Sequence, residues 1–200
     1  MALINSDVGI CNLALSHLGI EEITSLDQPT TNVENICSRF YDIARYNILR
    51  DCKFQFSIRR ASLPALSEAP AFTYSEQAQL PNDFVSLLYL VRNNDLLTNN
   101  GCYFIIEGNK LLTNFKPPFN IVYIADIKNP TLFNEEFKLL LSYYLAYLIS
   151  PQVGASNDKT QYVYNEYNKL LTLAKYHNGL DNPPKRITNS NYINNYYSGF

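Results

Sequence analysis

Glycine and histidine are scarce in this chain, and their scarcity argues against several kinds of active site. Only 7 glycines occur in the 200 residues, and they do not form the clustered pattern of a loop that binds phosphate groups. The patterns G-x-S-x-G, H-E-x-x-H and the P-loop are all missing. We therefore predict that the protein is not an enzyme and has no catalytic residues, no metal ligands and no cofactor.

The few residues that could serve acid–base chemistry have simpler explanations. His17 lies on the apolar face of a predicted helix and is expected to be a packed residue. His177 lies near a helix end, where a cation complements the helix dipole. The pairs 21–22 and 135–136 are adjacent glutamates, and adjacent residues on a helix do not face each other. We interpret both pairs as solvated ends of elements.

Strong net charge and long apolar runs are also missing. A formal net charge of -2 argues against a protein that wraps nucleic acid by bulk charge. The longest apolar segment, residues 137–149, falls short of the roughly 20 residues that span a bilayer. The N-terminus lacks a basic segment followed by a long apolar run, so we expect no secretory signal. These features predict a soluble protein made in a cytoplasm, with no membrane partner.

The cysteines bear on the cellular compartment and the tyrosines on the kind of surface. The four cysteines form no C-x-x-C pair, and Cys11 and Cys37 lie on apolar helix faces, so we expect buried thiols in a reducing compartment. The 16 tyrosines suit an interface, because the ring buries area while the hydroxyl keeps a partner. Codon bias in an AT-rich genome would give the same excess, and both interpretations stay open.

The clearest helix begins after Thr31. Thr31 and Glu34 have the spacing of a capping box. Apolar residues then follow at steps of three and four and form one stripe, namely Val33, Ile36, Cys37, Phe40, Ala44 and Ile48. Four polar residues fall largely outside this stripe, namely Arg39, Asp42, Arg45 and Asn47. After Asp51 the apolar residues alternate, which favours extended chain or a tight turn.

Three further helices and a group of strands are predicted from similar patterns. The first helix is capped by Ser6 or Asp7 and ends near Leu18. The third is capped by Thr131 or Asn134, and the fourth begins at Ser156 or Asn157 and stops at Gly179. Strands are predicted at 84–91, 103–107, 110–113 and 119–125, with Gly108-Asn109 as a hairpin turn.

Together these elements predict an α+β protein that is mainly α-helical. A four-helix body is expected from residues 1–70 and 129–180, with a small antiparallel β insertion at 71–128. An extended C-terminal arm, residues 181–200, follows. It carries six large apolar residues, namely Ile187, Tyr192, Ile193, Tyr196, Tyr197 and Phe200. We interpret the arm as a segment that orders on a partner. An inert tail, or one folded on its own subunit, stays an alternative.

The order of these patterns resembles the tail tubular protein A family, which are head-to-tail adaptors of short-tailed bacteriophages. The resemblance rests mainly on four runs of residues, 41–45, 49–50, 54–56 and 59–61. Further runs resemble other elements of the family: 10–15 and 18–19 its opening helix, 80–83 its turn into the β region, and 107–108 with 111–113 its hairpin. Tyr123 resembles the end of the strand that leads to its third helix. The resemblance covers roughly residues 8 to 176. The family commonly has tryptophan where Phe54 stands, and often an acidic residue where Tyr46 stands.

The resemblance implies a structural virion protein that is assembled in the host cytoplasm and located in the neck or tail. Such adaptors form a homo-oligomeric ring, typically of about twelve subunits, between the portal protein and the next tail or nozzle protein. Genomic DNA passes through the channel without sequence-specific binding. The resemblance also implies that the C-terminal arm binds the portal through its six apolar residues.

Two other functions remain as alternatives. One is another neck or tail-completion protein, which would differ in the ring neighbour it binds. The other is a cell-wall-active virion enzyme, which would need acidic residues converging in a cleft.

Arg59 and Arg60 are candidates for contact with a neighbouring subunit or with DNA. A local ion pair with Asp42 or Asp51 is the simpler alternative.

Overall fold

Helices and strands both contribute substantially to the computed structural model, which describes residues 4–92, 95–98 and 103–181. The helices are α1 (Asp7–Leu18), α2 (Asn32–Asp51), α3 (Glu135–Ile149) and α4 (Asn157–Asp181). The strands are β1 (Ile58–Leu63), β2 (Glu76–Gln79), β3 (Phe84–Arg92), β4 (Asp95–Leu97), β5 (Phe104–Glu107), β6 (Lys110–Thr113) and β7 (Phe119–Ala125). Single 3-10 turns lie at Gln55–Ser57 and Pro130–Leu132.

The prediction of a mainly helical body with a small β insertion is wrong. The chain is 45% helix and 21% strand, an α+β fold whose strands are all antiparallel in two sheets. One sheet has the order β1-β7-β3-β4 and the other β2-β6-β5. β1 lies within the segment that was assigned to the helical body, yet it pairs with β7 along its whole length. The exposed Arg59 and Arg60 interrupt the apolar alternation of β1, so local pattern did not reveal this strand.

The boundaries proposed at 70, 128 and 180 stay predictions. The pairing of β1 with β7 shows only that the four-stranded sheet includes a strand from before residue 71.

The N-terminal ends of the first two helices form as predicted. Thr31 Oγ1 accepts from the backbone N–H of Glu34 at 3.2 Å, and a Glu34 carboxylate oxygen accepts from the backbone N–H of Thr31 at 3.0 Å. The capping box is therefore confirmed. Ser6 caps α1, and Gly19 ends it in the left-handed region with φ 69°.

The last two helices begin where they were predicted to begin, but α4 ends later than predicted. Asn134 Oδ1 caps α3 by accepting from the backbone N–H of Phe137 at 2.9 Å. α4 continues through Gly179 to Asp181, so the predicted stop at Gly179 is wrong. One glycine inside a helix costs about 1 kcal/mol relative to alanine, which is too little to end a helix of 25 residues.

The predicted β elements between residues 84 and 125 are confirmed. β3 extends one residue beyond the predicted 84–91, and β7 matches the predicted 119–125. The hairpin turns at Gly108, which has φ 58°, and pairs Glu107 with Lys110. β4 was not predicted, because its surroundings are rich in turn residues. It pairs with the end of β3, where Arg92 lies opposite Asp95.

Helix α3 lies at the centre of the helical layer and packs against α1, α2 and α4. An aromatic cluster formed by Phe54, Phe56, Phe133 and Phe137 covers its N-terminal end. Phe54 is fully buried, and its ring meets that of Phe137 edge to face at 5.2 Å. Since α2 also contacts β3 and β7, it joins the helical layer to the four-stranded sheet.

Candidate interaction surfaces

Arg59 and Arg60 lie on opposite faces of β1, because successive residues of a strand alternate. Arg59 is paired with Tyr123 and Arg60 with Val122 in the neighbouring strand β7. The ion pair that would have explained both arginines is not observed among the described residues, since Asp42 pairs with Arg45 and Asp51 with Arg50. A contact of Arg59 or Arg60 with a neighbouring subunit or with DNA stays a prediction.

The Arg59 side chain folds back on its own strand. Its Nη1 donates to the carbonyl oxygens of Phe56 at 3.0 Å and Ile58 at 3.1 Å. On the same face, the Tyr123 hydroxyl donates to Asp83 Oδ1 at 3.0 Å. Burial and this hydrogen bond raise the pKa of Tyr123 to about 12, although the charge of Arg59 acts in the opposite direction. Arg59 is therefore engaged by local partners.

Arg60 lines a shallow groove that crosses β1, β7 and β3 on the other face of the sheet. This depression has a volume of about 350 Å³. A second depression of about 480 Å³ shares Val91 and Asn120 in its lining, and Arg92 and Lys116 contribute to it. Because Arg92 follows Val91 in β3, its side chain leaves the strand on the face opposite to Arg60. We name the two together the basic groove. Its charged and polar lining residues are Arg60, Ser62, Arg92, Asn114, Lys116 and Asn120.

Among the described side chains, the three cations of the basic groove have no ionic partner. Arg60, Arg92 and Lys116 are exposed, and no ion pair between described residues includes any of them. The Arg92 guanidinium lies over the ring of Phe115, 4.2 Å from its centroid. No described acidic residue lines the groove. The charged side chains that line the groove are therefore all positive among the described residues.

A larger depression beside the three-stranded sheet differs in charge. It has a volume of about 540 Å³, and Glu68, Glu107 and Lys110 all line it. Because acids and a base are mixed there, this depression does not attract one sign of charge as the basic groove does.

Arg45 forms a buried junction between α2 and the end of β7. Its Nη1 donates to an Asp126 carboxylate oxygen and to the carbonyl oxygen of Ile127, the latter at 2.9 Å. Its Nη2 donates to Asp42 Oδ1 at 2.9 Å, while its buried Nε has no partner among the described residues. Burial lowers the pKa of Arg45, but the hydrogen bonds and charges of Asp126 and Asp42 outweigh it and raise the pKa overall.

The sequence pattern missed this junction. It placed Arg45 largely outside the apolar stripe of α2, whereas the side chain is buried. A signal was present, because Arg45 lies four residues after Tyr41 and three before Ile48, and both of these are buried. The face of α2 that packs inside the protein is therefore wider than the apolar stripe.

The Glu34 carboxylate accepts several hydrogen bonds from the segment that precedes α2. Its carboxylate accepts from the backbone N–H groups of Thr24 at 3.2 Å, Thr30 at 2.7 Å and Thr31 at 3.0 Å. The hydroxyls of Thr24 and Thr30 also donate to it. The backbone donors, that of Thr30 first, hold the pKa of Glu34 well below its usual range.

Both histidines have protein partners. His17 stacks on Tyr143 with ring centroids 3.9 Å apart and lies 3.0 Å from Ser142 Oγ, so its prediction as a packed residue is confirmed. Burial lowers the pKa of His17. His177 Nδ1 lies 2.8 Å from Glu136 Oε1 and links the end of α4 to the start of α3.

Three of the four cysteines lie among the described residues and carry free, buried thiols. Cys11 and Cys37, predicted to be buried, join α1 to α2, and their mutual hydrogen bond together with burial raises the pKa of the Cys11 thiol. Cys102 lies outside the described residues.

Two helices expose large apolar side chains in rows. On α4, Tyr162, Leu173 and Tyr176 are at least half exposed and share one face, and the Glu166–Lys169 ion pair lies on that face between Tyr162 and Leu173. We name this row the α4 stripe. On α2, Ile43 and Tyr46 are exposed and form the α2 stripe, with Arg39 one turn before it and Arg50 one turn after it. Such rows mark surfaces that suit a protein partner.

The C-terminal arm, with Ile187, Tyr192, Ile193, Tyr196, Tyr197 and Phe200, lies outside the described residues. α4 leads directly to it, since this helix ends at Asp181. The assignment of portal contacts to the arm therefore stays a prediction.

Two further properties hold for the described part of the chain. It contains no group of three or more His, Cys, Asp and Glu side chains placed to hold a metal ion. None of its helices is long and apolar enough to cross a membrane.

The chain matches no protein-family model and no curated protein. The resemblance to the tail tubular protein A family therefore rests on the residue runs quoted above.

Proposed function

We propose that the protein is a structural component of a bacteriophage virion, a head-to-tail adaptor that forms a ring between the portal and the next tail protein. The resemblance of residues 8 to 176 to the tail tubular protein A family supports this proposal. The residue runs that carry it lie on α1, α2, β1 and the β5–β6 hairpin. The structural observation behind the ring is the presence of two separate exposed apolar rows, the α2 stripe and the α4 stripe.

A closed ring needs two different contact surfaces on each subunit, because every subunit meets one neighbour on each side. The α2 stripe and the α4 stripe meet this requirement. They lie on two helices that both pack against α3 and leave these rows uncovered. We propose that the α2 stripe of one subunit contacts the α4 stripe of the next, with aromatic and aliphatic side chains in the centre of the contact.

The portal contact is assigned to the C-terminal arm, which follows α4. An arm that binds weakly in one subunit binds strongly when about twelve copies act together, since a ring converts later contacts into intramolecular ones. Genomic DNA then leaves through the channel that the ring surrounds, without being read in sequence.

Sedimentation of the protein with the portal of its own phage tests the proposal. We expect the full chain to co-sediment as a ring, and a chain ending at Leu180 to lose the portal while keeping its own assembly. Retention of the portal by the shortened chain would move the contact to the helices. Failure of the full chain to bind would contradict the adaptor function and point to a different neck protein as partner.

A matched pair of variants in the same experiment tests the ring contact. Leu173→Glu places a charge in the α4 stripe, whereas Thr172→Glu places the same charge one position away on the same helix. We expect Leu173→Glu to weaken assembly at least about ten-fold, because a buried unpaired carboxylate is strongly unfavourable. Equal assembly of the two variants would remove the α4 stripe from the contact.

A further inference from the structure

Among the described strands, β1 is the longest of those that lie at the edge of a sheet. The two sheets have their edges at β1 and β4 and at β2 and β5. β1 contains 6 residues, whereas the other three edge strands contain 3 or 4. All 6 residues are paired with β7. Because neighbouring pairs of an antiparallel ladder alternate, half of the backbone N–H and C=O groups of β1 point away from β7.

The middle of β1 has no partner on this outer edge among the described residues. Beyond the pairing with β7, no described hydrogen bond involves the backbone of Arg60, Ala61 or Ser62. The edge of β2 is different, because the Gln77 carbonyl oxygen accepts from the backbone N–H of Leu66 at 2.8 Å. β1 therefore presents an uncovered strand edge, with which another extended chain can pair.

One face of the sheet beside this edge lies outside the hydrophobic core. From Arg60 the pairing leads across the sheet to Val122 and on to Tyr89. Val122 and Tyr89 do not belong to the hydrophobic core cluster, whereas Ile121 and Tyr123, on the opposite face of β7, do. Among the described residues, the core therefore lies on the other face of this part of the sheet.

Hydrogen-bond donors line the shallow depression on this outer face. Its volume is about 350 Å³, and it begins at the edge strand, where Arg60 and Ser62 contribute to it. Ser62 pairs with Asn120, which is exposed and also lines the depression. A guanidinium, a hydroxyl and an amide can all donate to a carboxylate. A strand added to β1 lies about 4.8 Å from it, which is within reach of an acidic side chain.

The charge of the edge distinguishes between possible partners. Arg60 is exposed and has no ionic partner among the described residues, and no described acidic residue lines the depression. Arg59, which is also exposed, adds a positive charge on the other face of β1. Side chains directly opposite each other on two strands stabilise the pair when their charges are opposite and destabilise it when they are alike. The edge therefore favours an acidic segment over a basic one.

We propose that the free edge of β1 binds an extended segment of a partner protein, which adds a strand to the four-stranded sheet. The acidic side chains of this segment lie on the face of Arg60 and Ser62. Its apolar side chains alternate with them and lie on the face of Ala61, which packs against the core. Ile58 is left out of the contact, because its carbonyl oxygen already accepts from Arg59 Nη1. The proposal goes beyond the adaptor function and does not depend on it.

A labelled peptide that alternates valine and glutamate, with blocked ends, tests the proposal by fluorescence anisotropy on the full chain. Two control peptides accompany it. One has lysine in place of every glutamate, and the other has its two central residues replaced by proline, which cannot donate to a ladder. We expect the glutamate peptide to bind more tightly than the lysine peptide. The proline peptide should bind at least about ten-fold more weakly, because it loses ladder hydrogen bonds.

A matched pair of variants tests the role of Arg60. Arg60→Gln removes the charge at the edge, whereas Lys53→Gln removes the same charge from an exposed residue that does not line the depression. We expect Arg60→Gln to weaken binding of the glutamate peptide about two- to five-fold, in the range of one cross-strand ion pair. Lys53→Gln should change it much less, and the difference between the two variants should shrink at high salt.

Amide hydrogen exchange locates the contact independently of affinity. Saturating glutamate peptide should slow the exchange of the outward-facing amides of residues 60–62, because they become donors to the added strand. The amides of α2 and α4 should exchange as they do without peptide. Protection on a helix but not in β1 would place the peptide elsewhere and contradict the proposal.

Several other outcomes would overturn the proposal. Equal binding of the glutamate and proline peptides would mean that charge alone attracts the peptide, without strand addition. Binding of the lysine peptide as tightly as the glutamate peptide would reject the role of charge. If the protein alone formed dimers with β1 protected from exchange, the occupant of this edge would be a second copy. Absence of binding by the glutamate peptide would reject the site itself.

Discussion

Arg45 and the basic groove carry the same kind of charge in opposite surroundings. Arg45 is buried and donates to Asp42, Asp126 and the carbonyl of Ile127. The cations of the groove, in contrast, are exposed and have no ionic partner among the described residues. A buried charge needs partners inside the protein, whereas an exposed charge without a partner can interact with another molecule.

The comparison predicts whether removing each charge should change stability or binding. Removing a charge that is paired inside the protein should change stability, because it leaves its partners without a counter-charge. Removing an unpaired surface charge should change binding and leave stability almost as it was. The predictions below test both sides of this distinction.

The largest effect is expected from Arg45→Ala. The substitution removes a buried side chain and leaves Asp126 and the Ile127 carbonyl without their donor. We expect the free energy of unfolding to fall by about 3 kcal/mol, at the low end for a broken buried pair because Asp126 is partly exposed. Denaturant unfolding measures it. Arg50→Ala, which removes an exposed partner of Asp51, serves as control and should cost less than about 1 kcal/mol. Equal losses in the two variants would contradict the distinction.

Glu34 provides the second test, through pH. Its pKa is lowered in the folded protein, so an unfolded chain takes up a proton near pH 4.3, about the ordinary glutamate value, while the folded protein does not. The stability that Glu34 contributes is therefore complete above that pH and is lost as the pH falls toward its folded pKa.

We expect Glu34→Gln to be less stable than the unchanged protein at neutral pH, and the two unfolding curves to converge as the pH is lowered below about 4. Unfolding free energies measured at several pH values check this. Glu21→Gln, which removes an exposed carboxylate of the same connection, is the control for the loss of one surface charge. A constant difference between Glu34→Gln and the unchanged protein down to low pH would show that the carboxylate charge is not involved.

The smallest effect on stability is expected from the groove variant with Arg60→Gln, Arg92→Gln and Lys116→Gln. Each position is exposed, and surface substitutions of this kind change stability by about 0.5 kcal/mol or less. The midpoint of denaturant unfolding should therefore stay close to that of the unchanged protein. A loss comparable to that of Arg45→Ala would mean that these cations support the fold and would remove the distinction between the two sites.

Local chemistry made much of the fold predictable. The Thr31–Glu34 capping box, the Gly108 turn and the limits of β7 all follow from residues that are close in sequence. Each of these features depends on backbone conformations within a few residues. Physical rules for caps and turns apply at that distance, so the predictions agree with the structure.

Features that depend on distant partners could not be predicted in the same way. β1 becomes a strand because β7, about sixty residues away in sequence, pairs with it. Arg45 becomes buried because Asp126 and Ile127 lie beside α2 in the folded protein. The depressions likewise require contacts between distant segments, since Arg60 lines one with residues of β3 and β7, and Arg92 and Lys116 line the other. Sequence patterns named Arg60 as a candidate but could not identify its neighbours.

The Arg59 side chain, which folds back on its own strand, affects how two copies of the protein can associate through their sheet edges. β1 is an edge strand, and free strand edges can join those of other molecules and start aggregation. The guanidinium of Arg59 covers the carbonyls of Phe56 and Ile58 at the beginning of this edge, and its charge repels a second copy. A second copy that approaches this edge therefore meets a positive charge where pairing would begin, which disfavours edge-to-edge association of two sheets.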